Sequence, residues 1–164
     1  MKIPIHNIHV RKATGNDADA VCRLYHETVT SLDRGCYTNA QIEKFASVCR
    51  EKNNWEQKIT NDHYLLATDR ENNIYGFCSL QADGCIDMLY VHPAHQHMGV
   101  ASSLLIAIYD LADESHIHFV YANISLSAIP FYEKNGFTVR DISPKDIEGV
   151  HFTNVVVDKR LWLM

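Results

Sequence analysis

No apolar run in this 164-residue chain approaches the length that crosses a bilayer. The opening residues, Met1 to Asn7, lack the apolar core of a secretory signal. Basic residues are not in excess either: 15 Lys and Arg face 20 Asp and Glu, a formal charge of −5. A general nucleic-acid binder needs a basic face to neutralise phosphates, so the charge argues against that class. The five cysteines (Cys22, Cys36, Cys49, Cys78, Cys85) are odd in number and form no CxxC pair. They are expected to be reduced thiols of a cytoplasmic protein, several of them in the core. No Gly-Lys-Ser/Thr triplet marks a nucleotide phosphate loop, and no nucleophile–base pair stands out for covalent catalysis. Repeats, low-complexity tracts and linkers are also missing. What is present, 46% hydrophobic and 21% charged residues, suits one globular domain over residues 1–164 with a substantial core.

Alternation of apolar and polar residues from Ile5 to Lys12 predicts a half-buried strand. Thr14-Gly-Asn-Asp17 supplies cap chemistry for a first helix carrying Ala18, Val21, Cys22, Leu24, Tyr25 and Val29. Thr38, three residues ahead of Gln41, predicts a capping box for a second helix with Ile42, Phe45, Ala46 and Cys49 inward. Trp55 to Ile59 adds a short helical turn. Strands follow at Tyr64–Thr68, Ile74–Leu80 and Cys85–Val91, then a helix from about Val100 to Glu114. A strand at Phe119–Ile124 and a short helix at Ala128–Lys134 come next. Thr138–Asp141 and Phe152–Asp158 read as two strands joined by a polar loop. Strands interleaved with helices make the class α/β with a mixed, mostly antiparallel sheet of six to seven strands. The crossover from Val91 to Phe119 implies one parallel neighbour.

The stretch from Ile86 to Leu105 organises the rest. An apolar strand runs through a Pro-containing turn into a helix whose Val100, Leu104, Leu105, Ile108, Leu111 and Ala112 share one face. Such a strand–turn–helix aims unpaired backbone N–H groups and the positive end of the helix dipole at one spot. That spot suits a phosphate or pyrophosphate; an ordinary connection is the alternative.

Two segments together carry a resemblance. Gln96-His-Met-Gly-Val-Ala101 fits the [Arg/Gln]-x-x-Gly-x-[Gly/Ala] loop that holds the pyrophosphate of acyl-coenzyme A. Ala128-Ile-Pro-Phe-Tyr-Glu-Lys-Asn-Gly-Phe137 looks like the Ala-x-x-Phe-Tyr-Glu-x-x-Gly-Phe helix found with it. Both motifs, in the right order and separated by a strand, resemble the GNAT superfamily of N-acetyltransferases. Ile86-Asp-Met-Leu, Gly99-Val-Ala-Ser and Phe152-Thr-Asn look closest to its small bacterial YafP-like branch.

The resemblance implies a GNAT fold splayed at the coenzyme A site, with acetyl-CoA as cosubstrate. It implies that the amides of His97, Met98, Gly99, Val100, Ala101 and Ser102 bind the pyrophosphate, with a side-chain contact from Gln96. The main chain of Leu89, Tyr90 and Val91 would pair with the pantetheine arm like an added strand, and the Leu89 amide would stabilise the thioester oxyanion. Tyr132 is the implied general acid, against a plain packing role beside Phe131 and Phe137. Asp87 is the implied amine-side carboxylate, against a structural ion pair. By simple alternation Asp87 faces opposite Ile86 and Met88.

Ser125 stands where the family's helix motif usually carries asparagine, so Asn123 and Ser127 join it as pantetheine contacts, with a helix N-cap as the other reading of Ser127. His92, His95 and His97 fit no metal family, and no metal is expected. Tyr37 and Trp55 are candidates for the acceptor pocket or for plain packing. Family acceptor pockets are built from the N-terminal helices and the last hairpin, and homodimers are common. The expected activity is direct acetyl transfer to a primary amine of a small molecule or peptide in a ternary complex. No nucleic acid or membrane partner is expected. A non-catalytic acyl-CoA sensor is the alternative, and a positioned acid at Tyr132 separates the two.

Overall fold

A short strand, β1 (His9–Lys12), opens the chain in a computed structural model that describes residues 7–50 and 52–162. Ile5 and His6 of the expected first strand, and residues 1–4, 163 and 164 of the expected domain, lie outside the described residues. Thr14 and Asp17 then form a reciprocal capping box that starts α1 (Ala18–Thr30). The Asp17 carboxylate accepts from Thr14 N–H at 2.8 Å and from two Arg11 guanidinium nitrogens at 2.8 and 2.9 Å. Val21, Leu24, Tyr25, Thr28 and Val29 are the inward face of this helix. The predicted Thr38–Gln41 box caps α2 (Asn39–Ser47), with both reciprocal bonds made, at 3.0 and 3.1 Å.

The turn expected at Trp55–Ile59 is a ten-residue helix, α3 (Lys52–Asn61). Its polar ends carry no apolar signal, while Trp55 and Ile59, one turn apart, are both buried. Trp55 is 1% exposed and packs against Tyr25 and Phe77, so it is core and lines no acceptor pocket.

Four antiparallel strands follow in the order β1-β2-β3-β4: β2 (His63–Thr68), β3 (Ile74–Leu80) and β4 (Ile86–Val91). Helix α4 (Val100–Glu114) crosses to a second, three-stranded sheet. There β5 (Phe119–Ile124) and β6 (Thr138–Ile147) flank β7 (Val150–Arg160), and α5 (Ile129–Lys134) precedes the last hairpin. The expected parallel neighbour is real but brief. Among the described residues one parallel bridge, Cys85 opposite Tyr121, joins the sheets, with Tyr121 N–H donating to the Gly84 carbonyl at 3.1 Å. Past that bridge β4 and β5 are unpaired with each other, and the sheet opens.

The polar loop expected between the last two strands is itself strand. β6 and β7 pair continuously to Ile147 opposite Val150, and the turn takes Glu148 and Gly149 at φ 48° and 82°. Two left-handed residues make the turn that matches strand twist. Ser143-Pro144-Lys145 reads as loop because Pro lacks a donor, yet β6 is an edge strand, where Pro is tolerated.

Two cores flank the first sheet. On its back face Leu104, Leu105 and Ile108 of α4 pack against Cys78, Leu80, Ile86, Val120 and Val157. On its front face Val21, Tyr25 and Trp55 cover Tyr64, Leu66 and Phe77. No helix among the described residues is long and apolar enough to cross a membrane.

Asp17 should give stability a visible acid dependence. Its hydrogen bonds to Arg11 hold the carboxyl down at about 2 from an ordinary 3.8. A lowered folded-state pKa contributes stability above the ordinary value, lost as pH falls through the folded one. Thermal melts from pH 5 to 2 should therefore decline, and Asp17→Asn should melt lower at pH 5 with a shallower decline below pH 4. Parallel curves for the two proteins would contradict this.

Candidate active site

The opening between β4 and β5 acquires its chemistry from the register of β4. His92 N–H donates to the Tyr75 carbonyl at 2.9 Å, continuing the ladder to β3. In an antiparallel ladder alternate residues turn their N–H and C=O to the same neighbour. The main chain of Tyr90 therefore bonds β3 opposite Phe77, while Leu89 and Val91 turn theirs into the opening. Of the three residues expected to receive the arm, Leu89 and Val91 turn their backbone into the opening and Tyr90 does not. Tyr90 instead contributes a ring to the front core, 4.9 Å edge-on from Tyr25, and burial pushes its phenol up to about 12.

At the other end of β4 the alternation breaks. Ser79 pairs with Met88 but Leu80 pairs with Ile86, leaving Asp87 as the extra residue of a bulge. Ile86 packs in the back core and Met88 and Tyr90 against the front one. Asp87 is thereby carried to the front with Met88, contrary to the simple alternation. Its charge reaches Tyr25, Tyr64 and Tyr90, all front-face residues. Asp87 is exposed, yet desolvation by the atoms packed around it holds its carboxyl above the usual carboxylate range. Lys58 opposes that shift and Asp62 adds to it.

Below the opening, the turn Pro93–His95 is capped by His92, whose Nδ1 accepts from Ala94 N–H at 3.1 Å. The opposite ring nitrogen lies 2.8 Å from the Glu27 carboxylate, tying this turn to α1. Gln96 donates its side-chain N–H to the Val91 carbonyl at 3.2 Å and so braces the loop. His97 and Gly99 both adopt left-handed backbone, at φ 62° and 88°. Gly99 is the N-cap of α4, so the first-turn amides of Val100, Ala101 and Ser102 have no partner within the helix. A Cβ built on Gly99 would meet nothing within 4 Å. The loop thus has open space over a helix N-terminus, which fits a pyrophosphate.

Tyr132 stands on α5, 5% exposed, with its ring edge-on to Phe131 and Phe137 at centroid distances of 5.4 and 5.0 Å. Its phenol feels Cys78 of β3, Tyr90 of β4 and Cys85 just before β4, all on the first-sheet side of the point where the sheets part. Burial drives its pKa far above the ordinary value, so at neutral pH the phenol keeps its proton.

A model of the acetyltransferase (GNAT) domain matches residues 34–159. The chain belongs to the GNAT acetyltransferase family. It is 28% identical over 150 residues to the uncharacterized N-acetyltransferase YafP of Escherichia coli K12, across 92% of this chain and 94% of that one. Its fold is similar to that of a GCN5-related N-acetyltransferase from Rhodopseudomonas palustris (TM-score 0.89, 24% identity, 98% of this chain and 100% of that one). It is also similar to the PaiA N-acetyltransferase of Thermoplasma acidophilum, solved with coenzyme A (TM-score 0.78, 20% identity, 94% and 99%). As a GNAT member this chain is an N-acetyltransferase with acetyl-CoA as cosubstrate.

In this GNAT chain the remaining candidates sit where β5 runs into α5. Asn123 Oδ1 accepts from Asn154 across the sheet at 3.1 Å. Ser127 is no helix cap: it lies inside the turn Leu126–Ala128, whose N-cap position is Ser125. Instead the Tyr37 phenol donates to Ser125 Oγ at 3.0 Å and lies 2.8 Å from Ser127 Oγ. Tyr37 is separated from these serines by 88 and 90 positions, and nothing in the spacing signals the contact. The same wall continues through α2, whose Gln41 donates to the His151 carbonyl at 2.7 Å and whose Lys44 pairs with Glu148. Phe45 packs on Phe152 at 5.2 Å. Among the described residues no group of three or more His, Cys, Asp and Glu is arranged to hold a metal ion.

Proposed function

We propose that this GNAT acetyltransferase moves the acetyl group of acetyl-CoA onto a primary amine of a small molecule or peptide, by direct attack in a ternary complex. One observation carries the reading. β4 and β5 part beyond the Cys85–Tyr121 bridge and Leu89 turns its backbone into that opening; in this reading Tyr132 serves it as acid and Asp87 as base.

In this reading the amides from His97 to Ser102 hold the pyrophosphate, and Leu89 and Val91 pair with the pantetheine arm. Asn123, Ser125 and Ser127 border that arm on the β5 side. The amine arrives as an ammonium, and Asp87 takes its proton directly or through one water. The raised carboxyl of Asp87, whose charge is felt by Tyr25, Tyr64 and Tyr90, is the more basic for the task. As the amine nitrogen bonds to the thioester carbon, the Leu89 N–H stabilises charge gathering on the carbonyl oxygen. Tyr132 gives its proton to the departing sulfur. The wall of Tyr37, Phe45 and Phe152 bounds the acceptor side. The five free thiols support a reducing, cytoplasmic setting, and the likeness to the Escherichia coli relative supports a bacterial one.

The test is release of free thiol from acetyl-CoA against a panel of amines. Turnover with at least one amine is expected; tight coenzyme A binding without turnover across a broad panel would favour the acyl-CoA sensor instead. Asp87→Asn is expected to lower kcat/KM for the amine by roughly 10²-fold and to erase the acid limb of its pH profile. Because desolvation raises this carboxyl, that limb should lie above the ordinary carboxylate value of about 3.9.

A further inference from the structure

We propose that Ser79 is the positioning residue that aims Asp87 at the acceptor side of the cleft. The inference rests on the reading of Asp87 as proton acceptor. Period-2 alternation would send Asp87 to the back of the sheet with Leu89 and Val91, against the apolar side of α4. The bulge cancels that parity by one residue, so the carboxylate emerges at the front. The bulge needs something to hold it at this register.

Ser79 is what sits opposite it. It pairs with Tyr64 on β2 and with Met88 on β4, the residue directly after Asp87. Its side chain is fully buried, at 0% exposure, next to the front core. A hydroxyl in such a place is costly unless it is hydrogen-bonded, and strands favour β-branched or aromatic residues there. The Ser79 hydroxyl has its partner: Oγ accepts from Met88 N–H at 3.1 Å. That bond grips the backbone at the bulge itself. Serine is also small, which lets Tyr64 reach over it until its phenol lies 3.8 Å from Met88 Sδ, within range of the Asp87 charge. One buried hydroxyl thus sets both the direction of the carboxylate and the seat of Tyr64 beside Met88.

The groups facing Asp87 are Tyr25 from α1, Lys58 from α3, Asp62 just beyond α3, Tyr64 from β2, and Cys85 and Tyr90 at the ends of its own strand. A loosened bulge lets the exposed carboxylate swing away from these groups. Ser79→Ala is therefore expected to lower kcat roughly 10- to 100-fold, as a misplacement of about an ångström does. The acid limb of kcat/KM for the amine should move down towards the ordinary carboxylate range, while KM for acetyl-CoA stays put. Ser79→Thr, which keeps the hydroxyl, should retain the wild-type limb.

Full-length wild type, Ser79→Ala, Asp87→Asn and the double variant settle the matter, with thermal melts run alongside. If Ser79 acts through Asp87, adding Ser79→Ala to Asp87→Asn costs no further activity. Equal losses in both backgrounds, or a limb unmoved in Ser79→Ala but lost in Asp87→Asn, overturn the role of Ser79 alone. A limb that survives in Asp87→Asn overturns the base reading and this inference with it. Should Ser79→Ala not fold, Ser79→Cys, close in shape but a weak acceptor, carries the same comparison.

Discussion

Tyr132→Phe is expected to cut kcat by about 10²-fold, at the lower end of what a positioned general acid supplies, while coenzyme A binds as before. The departing group is a thiolate whose acid has a pKa of about 8.5, so it leaves without help only slowly near neutrality. Tyr132 can help by donating a hydrogen bond to that sulfur, since a phenol with an ordinary pKa of about 10, raised further here by burial, keeps its proton near neutrality. Phenylalanine keeps the ring, and with it the edge-on contacts to Phe131 and Phe137, so the helix and the back core stay packed. The variant therefore separates the two roles that the sequence leaves open for Tyr132. A packing aromatic would lose nothing; a proton donor loses turnover at saturating acetyl-CoA and amine. Unchanged kcat, with thiol release as the readout, removes Tyr132 from the acid role.

The parts of the fold legible in the sequence are those with a local cause. Helix α4 shows its buried face because Val100, Leu104, Leu105 and Ile108 repeat at 3.6, and α2 shows its start because Thr38 and Gln41 stand three apart. The acyl-CoA loop and the Phe131-Tyr132 helix are likewise contiguous motifs. What could not be read depends on partners distant in the chain. The bulge at Asp87 exists only in the register between β3 and β4, so alternation along β4 alone sends that carboxylate to the wrong face. The division of labour between Leu89 and Tyr90 also follows from pairing, since any strand residue can turn its backbone either way. His97 joins Gly99 in left-handed backbone without a glycine to announce it. Pro144 and its polar neighbours look like a loop until β7 supplies the ladder on one side. Tyr37, finally, meets Ser125 and Ser127 because α2 docks on the last hairpin, and no spacing rule anticipates that.

Gly99→Val should produce the opposite kinetic pattern, a large loss of acetyl-CoA affinity with kcat at saturation nearly intact. Two effects act together. Valine at φ 88° carries the left-handed penalty of about 1–2 kcal/mol, which the loop relieves by turning the neighbouring amides away. The new methyl groups also occupy the open space over the α4 N-terminus, where the pyrophosphate oxygens must come close. Each charge-assisted bond to an amide is worth about 1.5–3 kcal/mol. Losing one of them raises Kd by roughly 10- to 100-fold, and losing two by up to about 10⁴-fold, at 1.4 kcal/mol per factor of ten. Calorimetry with coenzyme A measures this directly, and a melt without ligand shows how much of the strain is carried by the fold. Equal affinity for the two proteins contradicts the assignment of this loop. The phosphopantetheine thioester, which keeps one phosphate of the pyrophosphate and lacks the adenosine bisphosphate, supplies the internal control. It reaches the backbone of Leu89 and Val91 but makes fewer contacts with the loop, so its affinity should differ far less between Gly99→Val and wild type. A loss of equal size for both ligands instead traces the effect to the β4 edge, one turn of chain away from Gly99.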